Sequence, residues 1–192
     1  DSYTMSIESY DHFLSINSDA TKMIHEWISK TLSIPNKNLN GLPPCPYAKE
    51  AVLNNEISIF YADKNIEDSV EHTLNQFDSF KKRAVILSCP PSSLSSKETS
   101  SLVKKLREKF YTNNLWLMYD HPDIEESVAD MNFSFEHSLL FFFQKLDDLT
   151  IASQALYKKG YYKNWPEEYF NAVFSKREDY FKKATNKLNY DS

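Results

Sequence analysis

Glycine is nearly missing from this chain: two residues among 192, Gly41 and Gly160, where roughly 7% is usual. The phosphate loops G-x-G-x-x-G and G-x-x-x-x-G-K-[ST] need several glycines within a few residues, so dinucleotide-type and P-loop sites are excluded. Arginine is scarce as well. Arg83, Arg107 and Arg177 are the only ones among 22 basic residues, and 27 acids bring the net charge to −5. Arginine supplies most specific base contacts and bidentate phosphate clamps, so no nucleic-acid partner is expected. Abundant Lys and Asn beside little Gly, Ala and Arg also fits a low-GC genome. The two cysteines, Cys45 and Cys89, are too few for a disulfide framework. No apolar run reaches the roughly 18 residues of a membrane span, and the N-terminus lacks a basic-then-apolar signal pattern. The expectation is a soluble, intracellular, cytoplasmic protein with no membrane association.

What the chain does have is aromatic and aliphatic bulk. Hydrophobic residues make up 41% and aromatics 15%, including 12 Tyr, 13 Phe and 3 Trp, which is too apolar for a disordered chain. A chain of this length buries about 70% of its unfolded surface and needs no staple. Asp1–Thr4 reads as a remnant of expression cloning ahead of Met5, the expected native start. Residues 5–192 read as one domain, with a core over about 19–146 and C-terminal helices over about 147–188. There are no internal repeats.

Met23, Ile24, Trp27 and Ile28 recur at helical spacing and predict a helix from Asp19 to Leu32, stopped by Pro35. A loop spans Asn36–Pro44, and Cys45–Leu53 reads as a short helix with Cys45 as N-cap and Pro46 in its first position. A regular alternation follows. Glu56–Ala62 is strand-like, and Ile66, Val70, Leu74, Phe77 and Phe80 form a helical stripe behind Asn65 as N-cap. Ala84–Cys89 is an apolar run suited to a strand covered on both faces. Ser95 and Glu98 form a capping box opening a helix with Leu102, Val103, Leu106 and Phe110, and Leu115–Tyr119 is a third strand-like run. Ser138–Phe143 fits either a fourth strand or a buried helix, since periodicity does not separate them. A helix over about 147–159 ends at Lys158-Lys159-Gly160, and a last one starts at Pro166-Glu167-Glu168. The predicted fold is α/β: a small, mostly parallel sheet built from a β-α-β-α-β core, with a helical C-terminal third. The alternative is α+β with a mixed sheet.

Ligands of open parallel sheets bind beyond the carboxyl ends of the strands. Those ends carry Ala62-Asp63, Cys89-Pro90-Pro91 and Asp120-His121-Pro122-Asp123. His121 between two acids would have its imidazolium favoured and stand ready as general acid or base; the plain alternative is a turn and helix cap around Pro122. Cys45 at a helix N-terminus would be a thiolate nucleophile, with Lys49 one turn on; otherwise it is a buried, inert thiol. Lys49 and Tyr47 are the expected substrate contacts. His121, Asp123 and His137 together imitate the order of a two-histidine, one-carboxylate metal site, although 13 residues between Asp123 and His137 are few for such a scaffold. His12, His25 and His72 read as structural or exposed. Tyr157, Tyr161, Tyr162, Trp165 and Tyr169 either stack a ligand or anchor the final helix.

The leading expectation is a small enzyme acting on a small polar molecule through Cys45, Asp120, His121 and Asp123. The rivals are a non-catalytic binding or scaffold protein using its aromatic C-terminal helices, and a metal-dependent enzyme around His121, Asp123 and His137. Cofactor and oligomeric state stay open. The chain also resembles an uncharacterised bacterial family of unknown function that carries a Trp, a Leu-Cys-Pro-Phe-Ala box and, much later, a Phe-x-His-Pro-Asp box. Here Trp27 precedes Pro44-Cys45-Pro46-Tyr47-Ala48, and Tyr119-Asp120-His121-Pro122-Asp123 follows the third strand. Asn132 and Leu139-Leu140 resemble that family's downstream Asn and Leu-rich segment, while Tyr47 stands where it has Phe. The resemblance implies that Cys45 and His121 belong to one site. It implies no reaction.

Overall fold

A computed structural model describes residues 7–9 and 11–190, with side chains over 11–189; the expected remnant at 1–4 and the start at Met5 lie outside the described residues. Strands β1 (Ile7–Ser9) and β2 (Ser15–Asn17) lead into helix α1 (Ser18–Trp27), which Asn17 caps by accepting the Ala20 amide. A wider, π-helical turn, Ile28–Leu32, prolongs α1 to the expected end. Helix α2 is Ala48–Leu53. Then come β3 (Ile57–Tyr61), α3 (Ile66–Phe80), β4 (Ala84–Cys89), α4 (Ser96–Phe110) and β5 (Leu115–Asp120). A small hairpin, β6 (Ser127–Val128) and β7 (Met131–Asn132), precedes β8 (Leu139–Lys145). Helix α5 is Leu146–Lys158, and α6 (Glu167–Phe170) continues through a π-helical turn at Asn171–Ser175 into α7 (Lys176–Tyr190).

The α/β class, the β-α-β-α-β core and the helical C-terminal third stand as expected. The sheet itself is mixed. Its order is β1-β2-β3-β4-β8-β5, and only β3 and β4 are parallel neighbours. The undecided run at 138–143 is a strand, β8, lodged between β4 and β5 and antiparallel to both. Its two faces explain its composition. Leu139, Phe141 and Phe143 join Val85, Leu87 and Leu117 under α3 and α4. Leu140 meets Ile59 and Ile86 on the opposite face, under Ile24 of α1 and Ile28 of the turn that prolongs it. A central strand buried on both sides reads as a continuous apolar run.

Because β8 runs against both neighbours, β3, β4 and β5 still point the same way. Their carboxyl ends therefore share one edge of the sheet. Beyond β5, Trp116 packs with Leu146, Tyr180 and Ala184 of α5 and α7. Arg107 of α4 donates to the Leu117 carbonyl at 2.8 Å and lies 4.2 Å from the Trp116 ring centre, which blunts this edge strand.

Two helix starts differ from expectation. Asn65 takes a left-handed conformation (φ 49°) and its side chain makes no cap, so α3 starts without the predicted N-cap bond. Cys45 does not open α2, because Cys45 to Tyr47 form a turn in which the Cys45 carbonyl accepts the Ala48 amide. The Ser95–Glu98 capping box forms as predicted. Gly160 follows α5 at φ +77°, where a Cβ would come within 2.9 Å of Asn40 Nδ2. The close approach lets Asn40 donate to the Lys159 carbonyl, tying the 36–44 loop to the C-terminal helices.

Candidate functional site

Strand alternation separates the residues that the sequence places side by side. Asp120, the last residue of β5, is 4% exposed and turns toward Phe135, whose amide donates to Oδ2 at 3.2 Å. His121, one residue on, turns to the other layer and is 1% exposed. Its Nε2 lies 2.8 Å from the carbonyl of Leu94, in the loop before α4, and its Nδ1 accepts the Asp123 amide at 3.0 Å. An Nδ1 that accepts a proton fixes the neutral tautomer with Nε2–H as donor. The Asp123 carboxylate is 3.9 Å from that same Nδ1 and 79% exposed. Both ring nitrogens are committed to backbone. A turn does form around Pro122, the Ile124 amide donating to the His121 carbonyl at 3.0 Å.

Cys45 lies in the layer on the opposite face, packed with Ala48, Ile24 and Ile59. Burial raises its thiol, against the opposing pull of the Tyr47 and Ala48 amides and of Arg83. This reverses the expectation of a lowered thiolate, because α2 is short and begins three residues later, and the half-buried Cys45 packs against the apolar layer instead of capping the helix. Lys49 is exposed on α2. Tyr47 sits 5.5 Å beneath the Arg83 guanidinium and packs toward the C-terminal aromatics. Cys89 is fully buried under α3 and α4 and its thiol is raised by burial, so the two cysteines belong to different layers and both are free. Iodoacetamide at about pH 7.5 should therefore leave Cys45 unmodified in the native protein and label it after unfolding. Peptide mass mapping reads this, and native labelling at the rate of free cysteine would overturn it.

The metal-ligand set is not assembled either. Among the described residues no three His, Cys, Asp or Glu side chains converge on one point. Asp123 and His137 are exposed while His121 is buried, and the His137 ring meets Phe135 edge-on at 5.2 Å.

In place of these, the structure gathers two groups of polar side chains under the C-terminal helices. The first is Asp120, Glu126 and Tyr169. Burial pushes the Asp120 carboxyl up to about 7, opposed by the Phe135 amide and reinforced by Glu126 and Glu136. Its Oδ1 is buried and has no hydrogen-bond partner. Glu126 is also raised by burial, and its bond to the Tyr169 hydroxyl works the other way. The second group is Arg177, Ser153 and Tyr162. Arg177 is 4% exposed, donates to Ser153 Oγ and is hydrogen-bonded to the Tyr162 hydroxyl.

Tyr162 of the second group also lines an open groove of about 450 Å³, together with Tyr157, Lys163, Trp165, Glu167 and Phe170. Its rings brace each other: Trp165 stacks on Tyr169 at 4.7 Å and 8°, Phe170 on Phe174 at 4.8 Å and 15°, and Tyr162 meets Trp165 edge-on at 4.8 Å. Tyr157 is 57% exposed at its mouth. Glu126 and Phe170 carried no sequence signal as functional residues; the aromatic spacing at 157–169 was the one visible hint. No protein family, curated protein or solved structure matches this chain. No helix among the described residues is long and apolar enough to cross a membrane.

Proposed function

We propose that this is a non-catalytic binding protein whose C-terminal aromatic groove takes a small, planar, largely apolar molecule. The observation that supports this reading is the groove itself. It has the volume of a small-molecule site, walls of aromatic rings held by stacking, and a Lys163 and Glu167 at the rim to orient a ligand. The opposing charges at that rim give it no strong preference for a charged ligand. A cytoplasmic setting and the lack of a nucleic-acid partner belong to the same proposal, on the strength of composition and of the net charge of −5.

The enzyme reading keeps one point in its favour. A carboxyl that holds its proton to about pH 7, as Asp120 does, suits a general acid. The residues first assigned as its nucleophile and base do not support it, since the Cys45 thiol is raised and both His121 nitrogens are engaged.

The test uses 8-anilinonaphthalene-1-sulfonate, a planar fluorescent probe, on the folded protein. Tyr157→Ala should weaken its binding about tenfold, the scale of one lost aromatic contact. Leu53→Ala, at an apolar side chain 76% exposed elsewhere on the surface, should leave binding unchanged. Equal affinity of the Tyr157→Ala and native proteins would remove the groove as the site.

A further inference from the structure

We propose that Asp120, Glu126 and Tyr169 form a pH-responsive latch that holds the Trp165 wall of the groove in place at low pH and loosens it as pH rises. This rests on the groove being the binding site. The contacts run without a break from the sheet edge to the groove. Asp120 is fixed at the end of β5 and holds the segment after β7 through the Phe135 amide. Glu126, just before β6, takes the hydroxyl of Tyr169. Tyr169 on α6 lies flat against Trp165 at 4.7 Å, and Trp165 lines the groove.

The groups that face this cluster are all acidic or phenolic. Asp120 comes from β5, Glu126 from the loop before β6, Glu136 from the loop after β7, Tyr169 from α6 and Tyr161 from the turn after α5. Among the described residues no Lys or Arg forms an ion pair with Asp120 or Glu126. Asp120 has one backbone N–H for its two oxygens, and the other oxygen is buried without a partner. As a neutral acid this arrangement is tolerable. As a carboxylate it puts a second negative charge beside Glu126 in a place water does not reach.

Of the three acids, Glu136 is exposed and also held by Asn132 Nδ2 at 2.8 Å, so solvent screens it. Asp120 is anchored in the sheet. Glu126 sits in a connecting loop whose backbone is held by the Phe133 amide and the Ser134 hydroxyl, so of Asp120 and Glu126 it is the Glu126 side chain, on its longer stem, that turns away. When it moves it gives up the Tyr169 hydroxyl, and the stacked partner of Trp165 loses its anchor. The Asp120 carboxyl is held at about 7, so the change falls within the neutral range.

The experiment measures affinity for 8-anilinonaphthalene-1-sulfonate, whose sulfonate does not titrate, from about pH 5.5 to 8.5. The native protein should bind about tenfold more tightly at the acid end, with a midpoint near pH 7. Asp120→Asn should flatten the profile. Glu126→Gln, which keeps an oxygen for the Tyr169 hydroxyl, should flatten it too and serves if the first variant does not fold. A flat native profile, or an unchanged profile in both variants, overturns the latch. The Tyr157→Ala variant separates the two failures: if it loses affinity while the native profile is flat, the groove stands and the latch falls; if it binds normally, the groove reading itself is lost.

Discussion

Replacing Asp120 with Asn should stabilise the protein by about 3 kcal/mol more at pH 8 than at pH 5. The native carboxyl keeps its proton to about 7, whereas in the unfolded chain it titrates near 3.9. Between those values the folded state binds the extra proton, so stability falls as pH rises. Each pH unit costs about 1.36 kcal/mol, and the interval from pH 5 to 7 holds about two of them. Above about 7 both states are ionised and the slope vanishes. Asn cannot ionise, so the variant lacks this slope. Glu126, also raised by burial, slopes in the same direction but is coupled to Asp120, so the difference between profiles reports the pair. Urea unfolding at pH 5, 6, 7 and 8 measures it. A constant difference across the series would mean that Asp120 is solvated and ordinary.

The prominence of Asp120 was only half legible in the sequence. Its place at a strand end followed from the apolar run Leu115–Tyr119, and the carboxyl-edge argument survived because β8 opposes both β4 and β5. What no pattern carried was the company it keeps. Glu126 stands only six residues on, beyond a turn, while Tyr169 comes from a helix distant in sequence, and neither pairing has a local signature. Strand order was hidden for the same reason. Leu139 to Phe143 showed burial on both faces, which is a property shared by central strands and buried helices. The one clue to its role was that a strand this apolar needs neighbours on both edges, and its place between β4 and β5 supplies them.

The surroundings of Cys45 and His121 differ from the sequence reading in another way. The Cys45 reading relied on a helix N-terminus at that residue, and the His121 reading on the charges of its neighbours in sequence. At Cys45 the chain makes a turn before α2, so the thiol does not cap the helix and packs half-buried against the apolar layer. At His121 the acids on either side were in reach along the chain, but β alternation sent Asp120 to one layer and solvent took Asp123. The amide of Asp123, not its carboxylate, became the partner of the ring. The aromatic cluster fared better. Its spacing from Tyr157 to Tyr169 was visible: Tyr161 and Tyr162 are buried, while Tyr157, Tyr162 and Trp165 line the groove.

His121→Ala should cost about 3 kcal/mol of stability and leave probe binding in the groove unchanged within twofold. The substitution strips partners from two backbone groups, the Leu94 carbonyl and the Asp123 amide, at about 1 kcal/mol each. The space vacated by a ring that is 1% exposed adds a cavity cost of similar size. His121→Asn should recover part of the loss. An Asn oxygen accepts the amide two residues on in an Asx-turn, which is the bond Nδ1 now makes, while the Leu94 carbonyl stays unpaired. The expected order of stability is therefore native, then Asn, then Ala, with Asn losing roughly half as much. Chemical denaturation at about pH 7 gives the ranking, and probe titration below the transition gives the binding. An Ala variant as stable as the native protein would free the imidazole from its structural duty. The general-base reading of His121 would then regain its ground, because a buried ring that holds nothing together needs another reason to be there.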